Sequence, residues 1–328
     1  MTRILASVCA VLTLAVGPAF AQAKATITGV PDIPFTAVPN FLKLPPGESL
    51  GESVAVATNS RGNIFVYHRR DTTRLFEFDK NGTFLREIGK GYYGFEFAHS
   101  VRVDKDDNIW TVDEGTNLVT KFSPQGKVLM TLGKFGVAGN PPEALTDPTN
   151  ILTAPNGDIY VSESHTALDA PEAVGRISVF DKSGKFLRSF GKLGTGPGEF
   201  RIPHAMVFDS KGRLIVADRV NHRIQVLDTN GKFLGEYREF SRVSGLAIDK
   251  NDTIYASDSE STAKTHPGWQ KGIRIGNLKD GKVTIFIPGH KTETPDGAMG
   301  EGIALDAAGN LYTAEATVRG VTKYVKNN

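Results

Sequence analysis

The phrase DKSGKFLRSFG at 181–191 reads as a tight turn with glycine at its sharpest position, then a short strand alternating apolar and polar residues. It recurs along the chain: DKNGTFLREIG begins at 79, SPQGKVLMTLG at 123, DTNGKFLGEY at 228 and LKDGKVTIFI at 278. The glycines, Gly82, Gly126, Gly184, Gly231 and Gly281, are 44, 58, 47 and 50 residues apart. A second phrase precedes each: TNSRGNIFVYHR, VDKDDNIWTVDE, TAPNGDIYVSES, FDSKGRLIVADR and IDKNDTIYASDS, with LDAAGNLYTAEA as the last. In each, an apolar run meets a polar turn and a second alternating run, the pattern of a β-hairpin. Six hairpins recur with no helical periodicity of useful length between them. Repeats of this length holding four short strands are propeller blades. The fold class is therefore all-β, a six-bladed β-propeller.

The sixth unit ends in GVTKYVKNN with no glycine-started outer strand after it. VPNFLKLPPG at 38–47 contains NFLKLP, similar to GKFLRSF. It is expected to supply the missing strand, with residues near 40–44 pairing with 321–325. Such closure by both termini removes an open sheet edge. The expected organisation is a signal peptide at 1–21, an N-terminal arm with the closing strand at 22–50, and the propeller at 51–328.

Composition agrees with a globular, turn-rich chain: 328 residues, 40% hydrophobic, 23% charged, with 35 glycines. A net charge of +2, from 38 basic and 36 acidic residues, gives no reason to expect nucleic acid or an anionic membrane surface as partner. Arg3 precedes an apolar run from Ile4 to Val16, and Ala19-Phe20-Ala21 follows. This reads as a cleaved secretory signal rather than a membrane span, so a periplasmic or secreted location is expected. A lipoprotein reading of LASVC is the alternative. The single cysteine, Cys9, lies inside that segment, which leaves the mature chain without disulfide or thiol chemistry.

Aligning the hairpins on themselves exposes a candidate site. Eight residues back from the turn residues Gly62, Asp107, Gly157, Gly212, Asp252 and Gly309 stand Val54, His99, Thr149, His204, Ser244 and Glu301. This register opens the innermost strand, beside the central channel. His99, His204 and Glu301 come from alternate blades, about 120° apart in a six-fold ring. Two imidazoles and a carboxylate converging on the axis form an open three-ligand site for a divalent cation, Zn²⁺ first. The plain alternative is a set of polar rim residues. Fourteen positions further on, the ring reads His68, Asp113, Glu163, Asp218, Asp258 and Glu315, an acidic set expected to hold turns together. Insertions at SESHTALDAPEAVG, with His165, and at SESTAKTHPGWQKG, with His266 and Trp269, are expected to overhang the channel mouth. His222 and His290 share no such register and read as surface residues.

Across 50–326 the chain resembles the NHL-repeat six-bladed propellers, and among them the peptidyl-α-hydroxyglycine α-amidating lyases. The strongest stretch is GTGPGEFRIPHAMVFDSKGRLIVADRVNHRIQ at 194–225. The resemblance implies an axial zinc, a structural calcium held partly by backbone carbonyls, and cleavage of a carbinolamide into an amide and glyoxylate. Carried over residue by residue, it puts zinc ligands at His99 and His204, with Glu301 where the family has a third histidine. It puts the catalytic arginine at Arg69 in YHRR and His165 where the family has a tyrosine. The calcium carbonyls fall on Val56 and Val101, whereas the family's calcium aspartate falls on Gly302. Met299 is kept.

Three functions follow as alternatives. The first is a metal-dependent lyase cleaving a small-molecule or peptide-derived α-hydroxy substrate, with Arg69 binding an anionic group and His165 as general base. The second is a non-catalytic propeller that binds a protein partner on one face. The third is a lactonase-type hydrolase.

Overall fold

The computed structural model describes residues 35–38, 41–69, 71–165, 167–170, 173–289 and 299–327. The expected signal peptide and His290 lie outside these residues. The described strands form six four-stranded antiparallel sheets. A first strand, β1 (Phe35–Val38), belongs to the last blade. Blade 1 holds β2 (Glu52–Thr58), β3 (Ile64–Arg69), β4 (Thr73–Phe78) and β5 (Phe84–Ile88). Blade 2 holds β6 (Ala98–Val103), β7 (Ile109–Asp113), β8 (Leu118–Phe122) and β9 (Val128–Leu132). Blade 3 holds β10 (Pro148–Thr153), β11 (Ile159–Glu163), β12 (Arg176–Phe180) and β13 (Phe186–Phe190). Blade 4 holds β14 (Pro203–Phe208), β15 (Leu214–Asp218), β16 (Arg223–Leu227) and β17 (Phe233–Tyr237). Blade 5 holds β18 (Gly245–Ile248), β19 (Thr253–Asp258), β20 (Gly272–Asn277) and β21 (Val283–Pro288). Blade 6 holds β22 (Gly302–Leu305), β23 (Leu311–Glu315) and β24 (Gly320–Lys326), with β1 outermost.

The glycine phrase has a direct physical basis. In blade 1, Asp79 Oδ1 accepts from the backbone N–H of Asn81 and Thr83, each at 2.8 Å, and Gly82 supplies a φ of +80°. The aspartate fixes the turn locally, and glycine takes the left-handed position without a Cβ clash. The core lies between blades rather than within them. Each of six buried apolar clusters joins two neighbours; Ala205, Ile215, Val243 and Leu246, for example, link blades 4 and 5. Blades 6 and 1 are joined in the same way, through Val56, Phe76, Tyr312 and Val321. The ring is therefore closed by packing as well as by pairing.

Pairing closes it at a different place from the one expected. β1 runs antiparallel to β24, from Phe35 opposite Lys326 to Val38 opposite Lys323. The closing strand is thus FTAV, not the FLKL that follows it, and Asn40 lies outside the described residues. Residues 41–44 cross the seam to blade 1. The Lys43 N–H donates to Gly82 O at 2.7 Å, and Lys43 O accepts from the Phe84 N–H at 3.1 Å. Phe41 sets its ring 6.1 Å from Tyr312, and a Cβ on Gly82 would lie 2.3 Å from the Phe41 carbonyl oxygen. The apolar residues 41–44 packed there satisfy the same hydrophobic pattern as an outer strand, which is why the pattern alone placed them one blade away.

Candidate metal centre

The inner strands deliver their first residues to the channel through a repeated irregularity. Pairing of β6 with β7 steps from Ala98 to Ser100, and pairing of β14 with β15 from Pro203 to Ala205. His99 and His204 are the bulged residues left out of the ladder. A bulge re-aims its side chain, and here both imidazoles turn into the axis. Their ring centroids are 4.7 Å apart, and both side chains are buried.

Each imidazole is oriented by the next blade. His99 Nδ1 bonds the Thr149 carbonyl at 2.6 Å and His204 Nδ1 the Ser244 carbonyl at 2.7 Å. Thr149 and Ser244 hold the corresponding register position one blade on. A carbonyl can only accept, so Nδ1 carries the proton in both rings and Nε2 keeps a lone pair. Both Nε2 atoms are buried without a hydrogen-bond partner. Burial pushes both imidazoles well below their ordinary range, helped by neighbouring histidines at His99 and by Arg219 at His204. Both are therefore neutral at physiological pH.

His165, from the loop after β11, completes a three-histidine group whose ligating atoms all lie within 4.8 Å of one another. Its ring is 5.0 Å from His99 and 5.7 Å from His204. Glu114 Oε1 approaches His165 Nδ1 at 3.2 Å, and Arg219 Nη2 lies 2.9 Å from Nε2. Burial works against the Glu114 carboxylate, but the hydrogen bond with His165 and the electrostatic pull of nearby groups, Arg69 among them, hold it below the usual range. Glu301 stands beside this group: Oε1 is 3.3 Å from His204 Nε2 and 3.7 Å from Arg219 Nη1. The imidazoles of His99 and His204 fit a divalent cation, because their two orphaned lone pairs share one small volume with their tautomers fixed from behind; His165 can join them only by giving up Arg219, whose guanidinium now donates to its Nε2.

The other expected residues fall at different depths. Arg69 lies at the rim, with Nη2 3.3 Å from Glu52 and its guanidinium 3.8 Å over the Phe97 ring. Val56 and Val101 line a channel cavity of about 20 Å³ that His99, His204 and Glu301 also line, room for a single water-sized group. Met299 is buried between blades 5 and 6. His222 is not a free surface residue: its ring lies 3.9 Å from His266, which stacks on Trp269 at 4.9 Å. The acidic ring is structural. Asp113 accepts from the Glu96 and Phe97 N–H groups, and Asp218 accepts from the Arg201 N–H and from Arg223.

Sequence reading passed over Arg219, Glu114 and Glu260. Arg219 is 3% exposed and ties the site together, reaching Glu260 at 3.2 Å as well as His165 and Glu301. A signal was available. One position beyond the acidic ring, blades 1, 2 and 4 read Arg69, Glu114 and Arg219, three charged residues in a register otherwise held by Ser164, Ser259 and Ala316.

Comparison with known proteins agrees with this architecture. Residues 160–274 match a family model described as a 6-bladed β-propeller. The human NHL repeat-containing protein 3 is 32% identical over 308 residues, covering 85% of this chain and 80% of that protein. The chain belongs to the NHL-repeat family of six-bladed propellers. It is also 27% identical over 225 residues to the peptidyl-alpha-hydroxyglycine alpha-amidating lyase 1 of Drosophila melanogaster, covering 57% of this chain and 40% of that protein. Among solved structures, a gluconolactonase from Xanthomonas campestris superposes with a TM-score of 0.59 at 14% identity, covering 84% of this chain and 86% of that one. At that identity the likeness is one of fold.

Proposed function

We propose that this protein is a metal-dependent lyase that cleaves a carbinolamide or a related α-hydroxy compound at the channel mouth. The observation that carries the reading is the pair of buried, neutral, unpartnered Nε2 atoms of His99 and His204 facing one point beside His165. The similarity to an amidating lyase supports the substrate class. His99 and His204 would hold a Zn²⁺ ion, joined by His165 once its Nε2 is released from Arg219, and the ion would supply Lewis-acid polarisation of a substrate oxygen. Glu301, beside His204 and partly exposed, is placed to take the hydroxyl proton as the C–N bond breaks and return it to the departing amide nitrogen. Arg219 holds Glu301 and His165 in register. Arg69, whose carboxylate partner among the described residues is the half-exposed Glu52, can exchange that partner for a substrate carboxylate.

A second reading, a binding propeller without catalysis, is favoured by one specific feature: Arg219 already balances the charges of Glu260 and Glu301. Metal analysis of the protein and four variants separates the two. One zinc per chain is expected, lost in His99→Ala, His204→Ala and His165→Ala. Glu301→Gln should keep zinc and lose turnover of an α-hydroxyglycine peptide. Absence of zinc from freshly purified, zinc-supplemented protein refutes the lyase reading.

A further inference from the structure

The inner strand of every blade has one edge with no strand beside it, and that edge faces the channel. Its unpaired carbonyls need partners. Arg102, on β6, meets several of them at once. Its Nη2 donates to Met206 O at 3.2 Å and lies 3.3 Å from Asn150 Oδ1, while Nη1 reaches Leu246 O at 3.4 Å. One guanidinium thus spans from blade 2 to blades 3, 4 and 5. Among the described residues no carboxylate pairs with it; burial alone brings it down to about 10.

Met206 and Leu246 each stand two residues beyond the histidine register, the same layer as Val56 and Val101, whose carbonyls the family resemblance would give to calcium. Two further observations bear on that layer. Calcium sites gather six to eight oxygens, carboxylates among them, whereas the residue expected to bring the carboxylate is Gly302. A side chain there is shut out by close packing: a Cβ would lie 2.7 Å from both Ala55 Cα and Val54 O. Arg102 already takes the Met206 and Leu246 carbonyls of this layer, so a divalent ion bound to the same oxygens would sit directly against a fixed like charge.

We propose that the Arg102 guanidinium is the built-in axial cation of this propeller, occupying the carbonyl layer in place of calcium, so that the ring requires no divalent ion below the histidines. The assignment is independent of any catalytic role. Protein stripped with EDTA and reloaded with one equivalent of zinc is titrated with CaCl₂ by calorimetry, then melted with and without millimolar CaCl₂. No calcium binding is expected, and a melting temperature unchanged within about 1 °C. Arg102→Met, which removes charge and donors but keeps length, should melt roughly 4–8 °C lower, and Arg102→Lys should recover part of that loss. Stoichiometric calcium binding that raises the melting temperature of the parent overturns the proposal, as does an Arg102→Met variant that melts with the parent. If that variant does not fold, the calcium titration of the parent decides alone.

Discussion

Replacing Phe35 with alanine tests the closure of the ring at a single side chain. Phe35 is the first residue of β1 and is 8% exposed. Its ring meets Tyr255 of blade 5 edge-on at 6.5 Å and packs in one cluster with Ile273, Ile287 and Tyr324. The side chain therefore pins the N-terminal strand to two blades. Lost burial is worth about 2–3 kcal/mol, and the aromatic pair adds about 0.5–1 kcal/mol. A terminal strand relaxes more readily than a central one, so about 3 kcal/mol is expected, the low end for such truncations. In a ring of this size that is a fall of about 6 °C in melting temperature, followed by circular dichroism or calorimetry. Thr36→Ala is the control. Thr36 is exposed and donates only to Asn327 Oδ1 at 2.8 Å, so its loss should stay within about 0.5 kcal/mol. Removing everything before residue 39 should match Phe35→Ala in melting and also aggregate with concentration, because the β24 edge is then bare. If Phe35→Ala and the truncation both melt within a degree of the parent, the arm does not close the propeller.

Two further outcomes are expected. Glu163 is fully buried and accepts from the Thr146 N–H at 2.8 Å, from Arg176 at 2.7 and 3.0 Å, and from Ser178 Oγ. Glu163→Gln leaves the Arg176 charge without its partner and should cost about 3 kcal/mol or more, read as a lower denaturant midpoint at unchanged slope. Asp104 is opposed by burial, yet hydrogen bonds from Trp110 Nε1 and Asn108 hold its carboxyl below the usual range. A lowered carboxyl pKa stabilises above the unfolded value and loses that contribution as pH falls through the folded one. Asp104→Asn should therefore flatten the decline of melting temperature below about pH 4; an unchanged acid limb would sink this account.

The parts of the fold legible in the sequence were those repeated in it. The glycine turn is fixed by residues within five positions of each other, led by Asp79, Asp181 and Asp228 in three copies, by Ser123 in one and by Asn277 in the last, so each copy announces itself. The register of His99 and His204 could be read for the same reason, since each begins an inner strand. His165 could be located in its insertion but not grouped with them, because a loop carries no register and its approach depends on Glu114 and Arg219 from other blades. The closing strand was misplaced by a few residues, since FTAV and FLKL are both short apolar segments. What separates them is pairing: FTAV is bonded to β24, whereas Lys43 is bonded to Gly82 and Phe84 of blade 1. Arg102 drew no notice: a lone arginine in an alternating run looks like a solvated face until the channel is built around it.

Pairing β1 with β24 ties together residues 291 positions apart. Most contacts in the ring lie within a blade or between neighbours, so five blades can assemble in chain order as they are synthesised. The sixth cannot be completed until the final strand has emerged. Throughout that interval FTAV is a short apolar segment with no partner, and β24, when it appears, is an edge awaiting one. Long-range closure of this kind is slow compared with hairpin formation. The vulnerable species during biogenesis is therefore an open five-blade arc, which a second molecule's arm can complete when its concentration rivals that of the tethered one. Transplanting the arm to follow Lys326 through a short linker would turn the last step into a local hairpin.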